Sequence, residues 1–443
     1  MKKYDQYKNS GLEWLGEIPE HWELKKLKYS SSIYNGDSLN DSKKTKFESD
    51  NLNDFAYISS KDIDLETSNI TYENGLRIPQ NEPKYKVAPN ESSLICIEGG
   101  SAGRKIAFLN QDICFVNKLA CVKAINNVNS KFIYYTLKGS LFQTQFKLAM
   151  SGMIGGVAIS SINNFYILNP PLEEQIVISN FLDNKTTKID KAITTKQKQI
   201  ELLKERQQII IHNAITKGLD KTVKYKDSGA EWIGEIPEHW KVESLKNILT
   251  ERNEKNAPIR TREILSLSID KGVTLYAEKT TNLDRFKDDF SQYKLAHKDD
   301  LVFNSMNMIV GAVGVSDYFG CVSPVYYTYY GRLNYSNTKF YEYLFRCKTI
   351  QGVLYSLGKG LIAIDRGEGK YNTLRLKVSR DDLRSMRLPL PSFSEQNQII
   401  SYIETQSSKI DTLITLKEQE IEKLKEYKMS LIDGVVTGKV KVI

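Results

Sequence analysis

The residues that could take part in catalysis lie in short segments, and each segment lacks a group that its reaction requires. The segment Asn169-Pro170-Pro171-Leu172 is similar to the N-P-P-aromatic motif with which adenine methyltransferases hold a flipped base. It has no aromatic residue to stack on that base, and no Gly-rich cofactor loop precedes it in a strand–turn–helix context. We therefore interpret this segment as the break between a strand and a helix.

The other candidate groups for catalysis or metal binding are also incomplete. Lys370 follows a glycine, but no second glycine lies at the spacing of a phosphate-binding loop. His21 and His239 each precede a tryptophan, without a second His or Cys at metal-ligand spacing. A group of nearby carboxylates has no nucleophile beside it; these are Glu13, Glu17 and Glu20. The sequence predicts a chain with no catalytic residues and no metal site.

Two segments carry side chains that suit the edges of DNA bases. One is Gly-rich and basic (residues 98–105), and the other is rich in amides (residues 304–308). Arginine pairs well with guanine and asparagine with adenine. The alternative is that these residues only form a glycine turn and a buried amide that support the fold. The candidate DNA-binding residues in these segments are Ser101, Arg104, Lys105, Asn304 and Asn307.

Further basic residues could contact the DNA backbone. A glycine-spaced basic loop covers residues 359–370, and its counterpart in chain order is the Gly-rich segment 151–156. Glycines let the backbone approach a phosphate closely. Basic clusters are equally typical of solvated surfaces. We include as candidate DNA-binding residues Lys43, Lys44, Arg77, Arg260, Arg262, Lys359, Arg366 and Lys370.

All of these residues belong to a duplicated framework. The boxes YKNSGLEWLGEIPEHW (7–22) and YKDSGAEWIGEIPEHW (225–240) differ at only three positions and are 218 residues apart. A period this long indicates a duplicated domain and not a solenoid repeat. The units that follow the boxes have almost equal length but share little sequence. One fold with two different surfaces suits recognition better than chemistry, because a duplicated active site would repeat its reactive residues.

The same order of elements is predicted in both units. Short apolar runs indicate three strands in each, at 91–99, 103–110 and 113–125, and at 299–304, 310–318 and 321–330. One helix should follow in each unit, at 131–148 with Asn129 and Ser130 as the candidate cap, and at 337–357. A final strand is expected at 156–168 and at 385–391.

A long helix is predicted after each unit. Apolar residues recur at alternating steps of four and three, which is typical of a coiled coil. Neither helix is stable alone, so we expect the two copies to pair antiparallel. Lys196, Gln207, Lys417 and Lys428 occupy seam positions and are interpreted as devices that set the register. The apolar seam residues are Ile189, Ile193, Ile200, Leu203, Ile210, Ile410, Ile414, Ile421, Leu424 and Leu431.

The composition is that of an ordinary globular protein. Of the 443 residues, 40% are hydrophobic and 26% are charged, and the formal net charge is +8. This excess is compatible with a polyanionic partner or simply with a basic protein. The five cysteines form no C-x-x-C pair, which favours core positions in a reducing compartment. Without a secretory signal or an apolar span, the sequence predicts a cytoplasmic protein.

The sequence resembles the specificity (S) subunits of type I restriction-modification systems. The resemblance depends on the two SG-x-EW-x-GEIPEHW boxes, on the two EQ…KID helices that end in TKG or TGK, and on the segment Leu301–Pro324. It implies α/β (α+β) target recognition domains in two copies, joined by two long antiparallel coiled-coil helices, as a pseudo-two-fold tandem duplication. The implied parts are a first box and recognition domain (1–169), a helical spacer (170–219), a second box and recognition domain (220–388), and a second spacer (389–443).

The resemblance also implies a function and partners. The chain would be a non-catalytic subunit that binds double-stranded DNA at a bipartite asymmetric site, with one recognition domain for each half-site. It would dock two methyltransferase (modification) subunits and two restriction/translocase subunits, which would bind S-adenosylmethionine, ATP and Mg, so that this chain holds no cofactor. The alternative is a coiled-coil scaffold that does not bind DNA. The expected partner-docking residues are Trp14, Glu17, His21, Trp22, Trp232, Glu235, His239 and Trp240.

Overall fold

The computed structural model describes residues 2–12, 15–82, 84–150, 155–278, 289–361 and 375–442. The chain forms two compact units, the first from Met1–Lys198 with Lys417–Ile443 and the second from Gln199–Leu416. Both boundaries fall within long helices. Each unit therefore consists of a mixed α/β domain and of parts of both helices.

The domain of the first unit is mostly antiparallel. Its strands are β1 (Tyr7–Asn9), β2 (Glu17–Pro19), β3 (Glu23–Lys26), β4 (Ser31–Asn35), β5 (Phe55–Ile58), β6 (Arg77–Ile78), β7 (Val87–Ala88), β8 (Ser93–Cys96), β9 (Ile106–Phe108), β10 (Ile113–Phe115), β11 (Leu119–Ala124) and β12 (Tyr166–Asn169). The central sheet has the order β4-β11-β8-β9, and a second sheet has the order β6-β5-β10-β7. The helices are α1 (Asp41–Lys46), α2 (Ser130–Lys138), α3 (Ser140–Ala149) and α4 (Ile159–Ile162), followed by the long α5 (Leu172–Lys217).

The second unit repeats the central part of this plan. Its strands are β13 (Tyr225–Asp227), β14 (Glu235–Pro237), β15 (Lys241–Ser244), β16 (Leu249–Arg252), β17 (Leu265–Ser268), β18 (Gly272–Leu275), β19 (Lys294–Ala296), β20 (Leu301–Asn304), β21 (Val313–Val315), β22 (Gly320–Val322), β23 (Tyr326–Gly331), β24 (Lys359–Leu361), β25 (Arg375–Lys377) and β26 (Arg387–Leu390). The helices are α6 (Leu245–Ile248), α7 (Thr338–Arg346), α8 (Lys348–Leu357), α9 (Arg380–Ser385) and the long α10 (Phe393–Val436).

The central sheet of the second unit has the order β16-β23-β20-β21, which corresponds strand for strand to β4-β11-β8-β9. In both sheets the pairs are antiparallel, and the helix pair α2–α3 or α7–α8 follows the sheet in the chain. The two-stranded pairs β1-β2 and β12-β3 also recur, as β13-β14 and β15-β26. The second sheet of the first unit does not recur, and the pairs β17-β18 and β19-β22 replace it. The duplication therefore preserves the sheet and the helix pair.

Several predicted elements were wrong in detail. The predicted strand 113–125 is two strands, β10 and β11, which belong to different sheets. The predicted closing strand 156–168 contains the helix α4, and only Tyr166–Asn169 is a strand. Each predicted single helix is two helices, broken at Gly139 in the first unit and at Cys347 in the second. The predicted cap was right, because the Asn129 side chain accepts a hydrogen bond from Phe132 N at 2.9 Å.

The long helices pair antiparallel within the first unit. Asp190 of α5 binds Lys428 of α10, and Lys196 of α5 binds Glu420 of α10. Residue numbers therefore fall along α10 as they rise along α5, which is the antiparallel arrangement. In the second unit, Gln207 Nε2 donates to Asp411 Oδ1 at 3.1 Å. These bonds involve the polar seam residues, as a register device requires. The apolar seam residues of both helices are buried or half-buried.

Each box packs against the end of a long helix. In the second unit, Gly218 follows α5 and lies against Trp240 and Pro237. In the first unit, Gly438 follows α10 and lies against Trp22 and Pro19 in the same way. Lys2 and Lys441 also form a β-bridge. The end of α10 therefore packs against the first box in the same way as the end of α5 packs against the second box, which follows α5 directly in the chain.

Candidate nucleic-acid interface

The box of the first unit is fixed by one buried glutamate. Glu174, at the start of α5, accepts a hydrogen bond from Trp22 Nε1 at 3.1 Å, and its Oε2 lies 2.8 Å from His21 Nε2. The hydroxyl of Tyr4 donates to the same carboxylate. Burial and this bond to Glu174 raise the pKa of the Tyr4 hydroxyl. The glutamate thereby attaches the box to the long helix.

The second unit has the same attachment with one donor fewer. Trp240 Nε1 donates to Glu395 Oε1 at 2.9 Å, and His239 Nε2 lies 3.1 Å from Glu395 Oε2. Glu395 is at the start of α10, as Glu174 is at the start of α5. This explains physically why the EQ motif and the tryptophans of the boxes occur together in both halves.

The glutamine of each EQ motif attaches the mixed α/β domain of its unit. Gln175 Oε1 accepts from Asn129 N at 2.9 Å, and Gln396 Oε1 accepts from Asn337 N at 2.8 Å. Asn129 and Asn337 are the N-caps of α2 and α7. The long helix is therefore bonded to the first turn of the corresponding helix in each domain, which orients the domain.

The candidate base-contacting residues lie in loops between equivalent strands, except Asn304, which is the last residue of β20. The first candidate loop (residues 97–105) joins β8 and β9, and the second candidate loop (residues 305–312) joins β20 and β21. In the first loop Arg104 is exposed, whereas Lys105 Nζ donates to Ser60 O at 2.6 Å. Ser101 is half-buried, and its carbonyl accepts from Arg104 N at 3.0 Å. Arg104 is thus the side chain of this loop that is best placed to meet a partner.

The second candidate loop is less basic. Asn304 is half-buried and donates from Nδ2 to the Tyr326 hydroxyl at 3.2 Å. Its Oδ1 accepts from Met306 N at 3.1 Å, so the amide also shapes the loop. Asn307 and Met306 are exposed. The two loops therefore present different chemistry at the same place in the fold.

Each candidate loop contacts the segment that follows the helix pair. In the first unit Gly99 N donates to Gly155 O, and Val157 N donates to Ile97 O, both at 2.9 Å. In the second unit Val378 N donates to Ser305 O at 3.1 Å. In the first unit the Gly-rich segment 151–156 is therefore adjacent to the candidate loop, whereas in the second unit the contacting residue, Val378, lies after the predicted basic loop 359–370. Lys359 is exposed and lies 3.3 Å from Asp382, whereas Arg366 and Lys370 lie outside the described residues.

The remaining basic candidates differ in accessibility. Lys44 is exposed and paired with Asp41 at 2.8 Å, and Lys43 is half-buried on the same helix, α1. Arg77 is buried and donates to Asp54 O at 3.2 Å. A direct DNA contact by Arg77 therefore has no support from its position, because its guanidinium is engaged inside the domain.

Arg260 and Arg262 lie on the second domain among aromatic and acidic groups. Arg260 pairs with Glu254 and stacks over Phe319 at 5.7 Å, and Arg262 lies 5.7 Å from the ring of Phe290. Burial raises the pKa of Glu254, but hydrogen bonds from His297 and Arg260 outweigh it and the net shift is downward. Glu254 therefore stays ionised and neutralises part of the positive charge of Arg260.

The expected partner-docking residues divide into exposed and buried groups. Glu17 and Glu235 are exposed, and the side chains of His21 and His239 are 50% and 51% exposed. The indoles of Trp22 and Trp240 are fully buried, so they support the box and offer no surface to a partner. Trp232 is half-buried against the core of the second unit, and Trp14 lies outside the described residues.

Sequence reasoning missed a group of cations beside the second candidate loop. Lys294 Nζ donates to Tyr326 O at 3.0 Å, next to Asn304, and the exposed Lys377 precedes the residue that binds Ser305. Burial lowers the pKa of Lys294; the charge of Glu251 opposes this shift, and the charges of Arg380 and Lys377 add to it. These residues are far apart in sequence, so only the strand pairing could have revealed the group.

Comparisons with known proteins agree on one class. Residues 19–203 match the family model of the type I restriction modification DNA specificity domain. The chain is 25% identical over 367 residues, 81% of each chain, to the type I restriction enzyme MjaVIII specificity subunit of Methanocaldococcus jannaschii. It is 23% identical over 451 residues, 97% of this chain and 96% of the relative, to the putative type I restriction enzyme MjaX specificity subunit of the same organism.

Two solved structures share the fold. One comes from work described as the structural basis of complex assembly and conformational transition of the type I R-M system; it is 14% identical, with a TM-score of 0.67, and the match covers 96% of this chain and 99% of that chain. The other is the HsdS subunit from Thermoanaerobacter tengcongensis, which is 15% identical with a TM-score of 0.53, covering 96% and 98%.

The fold thus defines a protein with two mixed α/β domains and two long helices that pair antiparallel. Together with the family model and the relatives, it shows that the chain is similar to the type I restriction-modification specificity subunits. These subunits recognise DNA sequence and are non-catalytic. Among the described residues, no helix is both long and apolar enough to cross a membrane.

Proposed function

We propose that this chain recognises a bipartite, asymmetric DNA site, with one recognition domain for each half-site. The observation that carries the proposal is the pair of candidate loops, which join equivalent strands but have different side chains. Arg104 in the first loop suits a guanine edge, and Asn307 in the second suits adenine. Because the loops differ, the half-sites should differ in sequence. Their centres should lie about one helical turn apart, roughly 34–36 Å, as for other paired DNA readers.

We further propose that the exposed rim of each box docks a methyltransferase subunit. Glu17 with His21, and Glu235 with His239, are exposed groups of the boxes that recur in both halves. Two equivalent rims would bind two modification subunits, and the complete complex would add two restriction subunits. S-adenosylmethionine, ATP and Mg would then be held by these partners and not by this chain.

Selection from a random DNA library tests the reading function. The chain in complex with its methyltransferase should enrich a split motif. Arg104→Ala should relax one half of that motif and Asn307→Ala the other half, each by about 1–3 kcal/mol of discrimination. Lys44→Ala serves as the control, since loss of a phosphate contact weakens binding evenly across sequences and flattens the salt dependence. Failure of the wild-type complex to enrich any split motif would favour the scaffold function and reject the proposal.

Co-purification tests the docking surface. Glu17→Arg combined with Glu235→Arg should abolish retention of the methyltransferase subunit, and each single change should leave one copy bound. Glu73→Arg, which changes an exposed glutamate of the first domain outside the box, should retain both copies. Full retention by the double variant would exclude the rims as the docking sites.

A further inference from the structure

Two glutamines occupy equivalent positions beneath the candidate loops. Gln143 is the fourth residue of α3, and Gln351 is the fourth residue of α8. Both helices are the second member of the pair that follows the central sheet, and both side chains are half-buried. The surrounding sequences share little, so the coincidence indicates a common structural task.

In the first unit, the Gln143 amide joins the helix pair to the first candidate loop. Its Nε2 donates to Gly103 O at 3.0 Å and to Leu137 O at 2.7 Å. Leu137 is in the last turn of α2, where carbonyl groups have no partner within the helix. One amide therefore satisfies a helix-end carbonyl and holds the loop at Gly103.

In the second unit, Gln351 bonds the helix end in the same way and packs against the loop at Gly311. Its Nε2 donates to Arg346 O at 2.9 Å, and Arg346 is the last residue of α7. The same nitrogen lies so close to Gly311 that a Cβ built on this glycine would be 2.8 Å away. The amide thus lies between the helix end and the second candidate loop.

The glycines explain why the loops depend on these contacts. Gly103 has φ = 74° and Gly311 has φ = 89°, a left-handed conformation that other residues rarely adopt. A Cβ on Gly103 would also be 2.6 Å from the Phe146 ring. Each loop therefore bends at a glycine directly above its glutamine, and the exposed residues Arg104 and Asn307 are near that bend.

We propose that Gln143 and Gln351 are positioning residues for base recognition. Each fixes the bend of the candidate loop in its own domain and thereby sharpens the preference for one half-site. The proposal rests on the proposed function, because it requires that these loops contact bases. Phosphate contacts elsewhere on the domain do not pass through the bend, so the glutamines act on sequence preference and not on general affinity.

The test uses the complex with the methyltransferase and selection from a random DNA library. Gln143→Leu should reduce discrimination in one half of the split motif about five- to tenfold, the loss expected for one or two ordinary hydrogen bonds. Gln351→Leu should do the same in the other half. Affinity for non-specific DNA and its salt dependence should remain those of the wild type.

Gln145→Leu is the matched control. Gln145 is in the same helix, and its Nε2 donates to Leu141 O and to Tyr166 O, both at 2.9 Å, away from the loop. It should destabilise the domain without changing the motif. Equal relaxation by Gln145→Leu would attribute the effect to general loosening and overturn the proposal.

Gln143→Glu separates packing from hydrogen bonding, because an ionised carboxylate keeps the shape but cannot donate to Gly103 O. It should behave like Gln143→Leu, and wild-type preference in this variant would overturn the proposal. If the wild-type complex enriches no split motif, the proposed function itself fails. If it enriches one and both leucine variants keep it unchanged, only the positioning role fails.

Discussion

The attachment of the box is alike in the two units, whereas the exposed side chains of the candidate loops differ. Glu174 and Glu395 accept the same indole N–H and lie against the same histidine in their respective units. The two candidate loops have in common the strands they join, a left-handed glycine and a glutamine beneath it. The residues that the two units share are therefore those whose contacts orient each domain.

This difference has a physical cause. A buried indole and a largely buried carboxylate must be paired, so replacing either one leaves an unsatisfied group at a cost of roughly 1–3 kcal/mol. An exposed side chain on a loop has no such constraint, and its replacement usually changes stability by less than about 0.5 kcal/mol. The framework is thus restricted to one solution, and the loops can be changed with little cost to the fold.

The largest expected effect tests whether the two frameworks are equivalent. Trp22→Ala and Trp240→Ala should each lower the free energy of unfolding of their own unit by about 3–5 kcal/mol, because both indoles are fully buried. Hydrogen exchange resolved by peptide measures each unit separately. Costs that differ by more than about 2 kcal/mol would show that the two boxes are not equivalent supports.

A smaller effect should distinguish the two attachments. Glu174→Ala leaves three groups without their carboxylate partner, including the Tyr4 hydroxyl, whereas Glu395→Ala leaves two. We expect losses of about 2–3 and 1–2 kcal/mol, measured by the same exchange experiment. In a protein that already carries Tyr4→Phe, Glu174→Ala should cost no more stability than Glu395→Ala does. A persistent excess in the double variant would mean that Tyr4 is not its source.

The two units also differ in the cation at the end of the first helix of the pair. Lys138 ends α2 and donates to Ser68 Oγ at 2.8 Å, whereas Arg346 ends α7 and donates to Ile269 O at 2.6 Å. Each cation holds a turn of its own domain. Burial lowers the pKa of Lys138 to about 8, partly opposed by Asp190 and assisted by Lys131. Arginine does not deprotonate in this range.

This contrast predicts a pH dependence of the first unit that comes from Lys138. Free lysine has a pKa near 10.4. Between about pH 8 and pH 10 the unfolded chain therefore holds a proton that folded Lys138 has released, and the stability of the first unit should rise with pH by roughly 1–3 kcal/mol. Urea unfolding at several pH values, followed by a fluorophore in the first unit, measures this. Lys138→Arg should remove the rise, and a rise that survives in this variant would assign it to other groups.

The framework was largely predictable from the sequence because its signals are local or periodic. The seam of the long helices follows from steps of three and four, and the Asn129 cap follows from its own side chain. The breaks at Gly139 and Cys347 were missed, since the apolar pattern continues through them. A Cβ on Gly139 would lie 2.7 Å from Val436 Cγ2, a contact with α10 that no local pattern contains.

The candidate site was predictable only in part. The two loops were located correctly by chain order, as their strands confirm, but the fates of their side chains depend on distant partners. Lys105 is engaged by the carbonyl of Ser60, and Arg77 by that of Asp54. Residue type indicates which groups can bind DNA, whereas burial and pairing decide which of them remain accessible.

The smallest expected effect concerns the seam of the coiled coil. Lys428 Nζ lies 2.6 Å from Asp190 Oδ1 in the first unit, whereas in the second unit Gln207 makes a single neutral-to-charged bond to Asp411. Since Asp190 is 42% exposed, Lys428→Met should cost less than about 1 kcal/mol. That cost should nearly vanish in 1 M salt, where charges are screened within about 3 Å. Gln207→Leu should cost about 0.5 kcal/mol or less, with little dependence on salt. Urea unfolding at low and high salt compares the two, and an equal salt dependence would show that Lys428 does not act through its charge.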